Sequence, residues 1–250
     1  MLAELIELAP EGFEQVDGDG FVEFALYGAP GELPELAEGT ARIGGIAVEV
    51  TGTQVGDDWA DRWREFHRPA QIGPFTVRAP WHDAPDDGID IVIDPAQAFG
   101  TGAHPTTRLC VELMLGLERG GPFSDLGCGS GVLSIAAAKL GFAPVTAVDY
   151  ELAALEATRE NARVNAVTLD RVERVDLREQ PAPMARLTVA NLVRPLLLRV
   201  AALLPEQPET LIVSGLLDGE EDEVAAAFAS LRERHRLRLQ GWSALLLTPP

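Results

Sequence analysis

The chain has 250 residues, 46% of them apolar, with a formal net charge of −19. That length suits one large α/β domain with a small appendage, and the apolar content excludes a disordered chain. The charge excludes a general nucleic-acid binder, so no direct DNA binding is expected, and it favours a basic partner such as a cationic protein.

Residues 1–56 read as a small α+β module. Leu2, Leu5, Ile6 and Leu8 suggest a short helix ended by Pro10. Phe13–Val16 and Phe21–Tyr27 alternate like strands around Asp17-Gly-Asp-Gly20, and Ile46–Val55 alternates again. A second short helix is expected within Gly31–Ala41. Residues 57–70 read as a linker helix, capped by Asp57 or Asp58 and ended by Pro69, with Trp59, Trp63 and Phe66 on one face for docking onto a neighbouring element.

Residues 71–250 alternate strands with helices, which predicts a Rossmann-like α/β parallel sheet with helices on both faces. Phe75–Trp81 and Ile89–Asp94 are expected to pair as a hairpin around Asp83–Gly88. The loop Asp94–Arg108 then enters a helix at Pro105. Thr106 and Thr107 stand at that helix start, where a hydroxyl serves either a ligand carboxylate or the helix cap.

The informative stretch is Asp125-Leu-Gly127-Cys-Gly129-Ser-Gly131, between the short strand Pro122–Ser124 and an alanine-rich helical run. Glycine belongs where the backbone turns to positive φ and where a ligand approaches the main chain. The helix behind it offers unpaired N–H groups. The spacing is G-x-G-x-G, one residue tighter than the dinucleotide fingerprint, and a carboxylate at Asp125 disfavours a pyrophosphate. Asp149 ends the next apolar strand, 22 positions after Gly127, where an acid that holds a ribose belongs. Two acids, a glycine turn and no phosphate-binding lysine fit a nucleoside carrying an ammonium group, which is the chemistry of S-adenosylmethionine.

Three more parallel strands follow, over Val172–Asp176, Leu187–Leu192 and Glu209–Gly215, with Asp176 at a strand tip as a candidate adenine contact or a plain surface acid. Asn191 ends the middle one. An amide at the carboxyl end of a central strand lies where α/β sheets bind ligands, and its carbonyl can accept a hydrogen bond from an amine. Leu237–Gln240 and Trp242–Thr248 read as a closing antiparallel hairpin. Cys110, Cys128 and the four scattered histidines form no metal-ligand spacing, so no metal is expected. No signal peptide and no span of about 20 apolar residues is read, which points to the cytoplasm.

On these residues the chain resembles the PrmA family, bacterial methyltransferases of ribosomal protein L11. The carriers are Trp59-x-x-x-Trp63, Ala98-Phe-Gly-Thr-Gly-Ala-His-Pro-Thr-Thr107, Asp125–Gly131, Ala147-Val-Asp149, Asn161-Ala-Arg-Val-Asn165, Ala190-Asn-Leu192 and Ser214-Gly215. The resemblance implies S-adenosylmethionine contacts at Thr107, Gly127, Asp149 and Asn191, to which the turn itself adds Asp125 and Gly129. Asn191 is also the candidate catalytic residue. It further implies methyl transfer to lysine side chains or the N-terminal amine of a basic ribosomal protein, recognised by the small N-terminal module, which here is short. The alternative substrate is another protein lysine or a small amine. Arg186 stands where the family has an acid, and Glu151-Leu152 where it has an acid followed by proline.

Overall fold

A computed structural model describes residues 14–18, 21–25, 39–43, 46–51, 68–95, 102, 104–204 and 208–250. The expected helix at 2–8, the linker helix at 57–67 with Trp59 and Trp63, and Ala98–Thr101 of the loop lie outside those residues. The chain divides into two units, Met1–Ala60 and Asp61–Pro250.

The first unit holds two antiparallel pairs. Strands β1 (Glu14–Gly18) and β2 (Phe21–Ala25) pair with Gly18 opposite Phe21, and β3 (Gly39–Ile43) pairs with β4 (Ile46–Val50). Of the stretch Gly31–Ala41, where a short helix is expected, Gly39–Ala41 belong to strand β3 and residues 31–38 lie outside the described residues. Pairing with the alternating Ile46–Val50 overrides the local preference there.

The second unit opens with a three-stranded sheet of β5 (Ala70–Ile72), β6 (Phe75–Arg78) and β7 (Ile89–Val92). The expected hairpin between β6 and β7 is wrong: they run parallel, with Phe75 opposite Ile89. The hairpin forms instead between β5 and β6, because Gly73, at φ +54°, and Pro74 make a two-residue turn between them. The Arg78 guanidinium grips Asp90 across the parallel pair at 2.7 and 2.8 Å.

Helix α1 (Pro105–Leu115) leads into a seven-stranded sheet. Its members are β8 (Phe123–Leu126), β9 (Val145–Asp149), β10 (Arg171–Arg174), β11 (Leu187–Asn191), β12 (Thr210–Leu217), β13 (Arg232–Leu239) and β14 (Trp242–Thr248). The order is β10-β9-β8-β11-β12-β14-β13, parallel from β10 to β12, and the last two strands form the antiparallel hairpin expected from the sequence. Helices α2 (Val132–Lys139), α3 (Leu152–Val164), α4 (Arg194–Ala202) and α5 (Glu221–Ala227) complete the layers.

Period-two alternation splits each central strand between two cores. Phe123, Val189, Ile212 and Leu246 join Leu109, Met114 and Ile135 of α1 and α2 on one face. Leu126, Ala190, Val213 and Leu247 join Leu197 and Val224 of α4 and α5 on the other. Among the described residues no helix is long and apolar enough to cross a membrane.

Candidate cofactor and substrate site

Strands β8 and β11 are parallel neighbours, with Leu126 opposite Ala190. The chain runs from β8 outward through β9 to β10, and from β11 outward the other way, so the strand order reverses between them. Such a reversal opens a crevice at the carboxyl ends of the strands. Gly127 and Asn191 are the next residues on the two strands and leave the sheet side by side.

The turn after β8 bends at Gly127, Gly129 and Gly131, at φ +77°, +51° and +80°. At Gly127 a Cβ would also come within 2.3 Å of Leu192 Cδ2. The amides of Gly127 and Cys128 donate to the Val148 carbonyl at 2.8 and 3.0 Å, which pins the turn to β9. Asp149, half-buried at the end of β9, takes the Gly129 N–H on Oδ2 at 3.0 Å and the Glu151 N–H on Oδ1 at 3.1 Å. Each oxygen keeps a further lone pair, so the carboxylate is held in place and can still accept two hydroxyls of a ribose-like diol.

Asp125 lies deeper than its position at the mouth of the turn suggested. It is fully buried, and Oδ2 accepts the Ser134 amide at 3.1 Å and the Ser134 hydroxyl at 2.7 Å, capping the first turn of α2. Oδ1 has no hydrogen-bond partner among the described residues. Burial pushes the carboxyl up to about 6, the Ser134 bonds draw it back, and the Asp149 charge raises it again. A buried carboxylate oxygen without a donor is costly unless something supplies one. A ligand ammonium, direct or through water, would do so. With glycines at the approach and Asp149 on β9, the residues fit a nucleoside bearing a cationic group. Among the described residues no cluster of metal-ligating side chains occurs.

Asn191 is half-buried, and its amide makes no hydrogen bond to any described residue. Its backbone is fixed from β12. Asn191 is opposite Ser214, the Leu192 amide donates to the Ser214 carbonyl at 3.0 Å, and the register shifts between Ser214 and Leu216. The bulge residue, Gly215, has φ +85° and lies so close that a Cβ would sit 2.4 Å from the Leu192 carbonyl oxygen. Bulges of this kind aim the chain next to functional sites.

Thr107 is buried in the first turn of α1, 1% exposed. Its neighbour Thr106 is engaged in the cap. The His104 side chain accepts the Thr106 amide, His104 Nδ1 lies 2.8 Å from Thr106 Oγ1, and the Thr106 carbonyl accepts the Ser214 hydroxyl at 3.3 Å. The His104 ring packs edge-on against Trp242 at 4.9 Å, and burial lowers its pKa, so the cap works as neutral imidazole. The helix start carrying Thr107 is thus tied through Ser214 to the strand beside Asn191. Asp176 is held by Arg178 at 2.8 Å. Arg186 bridges Glu118 at 2.9 Å and the Gly120 carbonyl at 3.0 Å, fastening the entry to β8.

The sequence profile of the family described as Ribosomal protein L11 methyltransferase (PrmA) matches residues 33–248. The chain belongs to the PrmA family. Ribosomal protein L11 methyltransferase of Pectobacterium carotovorum subsp. carotovorum is 40% identical over 179 residues, 69% of this chain and 60% of that protein. That of an Enterobacter strain is 40% identical over 181 residues, 70% and 61%. The chain thus spans about 60% of the length of these curated relatives. A crystal structure of ribosomal protein L11 methylase from Lactobacillus delbrueckii subsp. bulgaricus superposes with a TM-score of 0.63 at 28% identity, covering 71% of this chain and 95% of that one.

In this PrmA chain, sequence reasoning assigned no role to three buried polar residues in and just after α3. Asn161 and Asn165 entered only through the Asn161-Ala-Arg-Val-Asn165 resemblance, and Thr158 only as a helix position. Thr158 donates to the Gly129 carbonyl at 2.9 Å, and Asn161 to the Ser130 carbonyl at 2.9 Å. Their spacing of three and four residues puts them on one helix face, which is the signal that could have found them.

Proposed function

We propose that the chain is an S-adenosylmethionine-dependent protein N-methyltransferase acting on lysine side chains or the N-terminal amine of a basic ribosomal protein, L11 in its relatives. One observation carries the reading: Asp149, bonded to Gly129 of the turn, and Asn191 flank the crevice where β8 and β11 part. Asp149 would hold the ribose, the backbone of Gly127 and Gly129 would pass close to the amino-acid moiety, and Asp125 Oδ1 would answer its ammonium. Thr107, at the start of α1, is the remaining candidate contact.

When bound, the sulfonium of S-adenosylmethionine supplies an already activated methyl group. The chain's task is to hold a neutral amine in line with it. A free lysine has a pKa of about 10.4, and a poorly hydrated pocket lowers it by disfavouring the charge. The Asn191 carbonyl accepts one amine N–H, which turns the nitrogen lone pair away from the strand end. No dedicated base is invoked; the proton leaves to water.

The acidic composition supports a basic protein partner. Residues 1–60 carry thirteen Asp and Glu against one arginine. This favours a cationic protein over DNA, in the cytoplasm where such a partner is made.

The test is incubation with methyl-labelled S-adenosylmethionine and the L11 protein of the same cell, read by intact mass. Steps of one methyl on that protein are expected. Labelling of a different protein only would replace the substrate, and no labelling would remove the enzymatic reading. Asn191→Ala should cut turnover on the true substrate by about 10²-fold or more, as loss of an orienting group does. Unchanged turnover would end its catalytic role.

A further inference from the structure

Asn161 of α3 touches two things that belong to different parts of the fold. Its Nδ2 donates to the Ser130 carbonyl of the glycine turn at 2.9 Å, and its Oδ1 accepts the Asp94 amide at 3.3 Å. One turn later on the same face, Asn165 pairs both backbone groups of Val92. It accepts the Val92 amide at 2.9 Å and donates to the Val92 carbonyl at 2.7 Å. Two side-chain amides thus stand in for a neighbouring strand along the free edge of β7. Both residues are buried, Asn161 at 2% exposure and Asn165 at 8%. A buried amide held at both ends admits little displacement of one partner without the other.

Asp94 is where the chain departs from β7 towards Gly102, His104 and the start of α1. Gly102 is locked there by its own geometry, with φ +82° and Val77 within 2.9 Å of where a Cβ would stand. The carbonyls of Gly129 and Ser130 both point back to α3, to Thr158 and Asn161. Movement of the turn on binding a ligand therefore loads α3 first. Asn165 makes no hydrogen bond to the turn among the described residues; its side chain holds Val92 of β7 and the Asn161 carbonyl, the latter at 2.8 Å. Asn161 joins turn and strand exit through a single side chain.

We propose that Asn161 is a positioning residue that couples occupancy of the glycine turn to the placement of Asp94 at the exit of β7. The assignment rests on the proposal that the turn binds S-adenosylmethionine. Binding at the turn fixes the Ser130 carbonyl, the Asn161 amide follows it, and the Asp94 N–H is held more tightly.

The test is residue-resolved amide hydrogen exchange on the full chain, with and without S-adenosylhomocysteine, after calorimetry has measured its binding. With ligand at ten times its Kd, linkage limits the slowing of a fully coupled amide to about elevenfold. Asp94 and Gly129 are both expected to slow towards that limit, and the amides of β13 and β14 to slow less. Asn161→Asp keeps an acceptor for the Asp94 amide but loses the donor to Ser130. In it, Gly129 should still slow while the slowing at Asp94 falls below about twofold. Three results overturn the coupling. They are an Asp94 amide indifferent to ligand in the wild-type chain while Gly129 slows, equal slowing at Asp94 and β13–β14, or an Asp94 response retained in Asn161→Asp. The first and second need no variant and stand if Asn161→Asp fails to fold. Absence of any binding, with no amide slowed, overturns the cofactor reading and this inference with it.

Discussion

Gly215→Ala should be among the most damaging single-methyl additions in the chain, although Gly215 touches no candidate ligand. Its φ of +85° costs a non-glycine residue roughly 1–2 kcal/mol. The added Cβ would lie 2.4, 2.8 and 3.1 Å from the O, C and N atoms of the Leu192 backbone. No rotamer change relieves a clash with main chain, so the ends of β11 and β12 must separate. That adds strain of about 1–3 kcal/mol, and the loss of the Leu192 amide bond to Ser214 about 1 kcal/mol more. The expected loss is roughly 3–6 kcal/mol, a large part of a typical total of 5–15. Gly127→Ala is the control. Its φ of +77° carries a similar backbone cost, but the close atom is the far end of the Leu192 side chain, which can rotate away. A loss of roughly 1–3 kcal/mol is expected there. Urea denaturation of both variants, read by tryptophan fluorescence and circular dichroism, makes the comparison. Gly215→Ala should also reduce turnover more than cofactor affinity, because the displaced residue follows Asn191. Equal losses in the two variants would refute the claim that the bulge fixes Asn191 through a backbone contact.

Other outcomes are fixed by the same geometry. Asp149→Ala should weaken S-adenosylhomocysteine binding at least tenfold by calorimetry, and unchanged affinity would remove Asp149 from the ribose. Asp125 titrates near 6, above its unfolded value of about 3.9, so between those values the native state holds a proton that the unfolded state has released. Stability contributed at this site therefore falls as pH rises through that window. Asp125→Asn removes the titration and should gain about 2–3 kcal/mol relative to wild type between pH 4 and 7, measured by urea melts across pH. The same variant should bind a cationic ligand more weakly at pH 7. A stability difference independent of pH would contradict the burial reading. Glu221→Gln should destabilise the chain by about 1–3 kcal/mol, because this buried carboxylate accepts from Arg238, Ser243 and the Gly219 amide; an unchanged urea midpoint would refute that role.

The glycine turn, Asp149 and Asn191 could be read directly from the chain because each depends on local order. A strand must end, glycine must take positive φ, and an acid must end the next strand. The largely continuous apolar runs of Leu187–Asn191 and Thr210–Leu217 likewise announce strands buried on both faces, and the closing hairpin follows from two runs around Gln240-Gly241. Tertiary contacts decided what local order leaves open. Parallel pairing of β6 and β7 depends on which edge β5 has already taken. The depth of Asp125, and with it a pKa near 6, depends on α2 packing over β8. Asn161 and Asn165 look like ordinary helix polar residues until β7 arrives with an unpaired edge to satisfy. The sequence by itself determined which groups the candidate site offers, since spacing along a strand or turn is a property of the chain. Only the tertiary structure decided which of them are held, buried or coupled, since those depend on atoms distant in sequence meeting within a few ångströms.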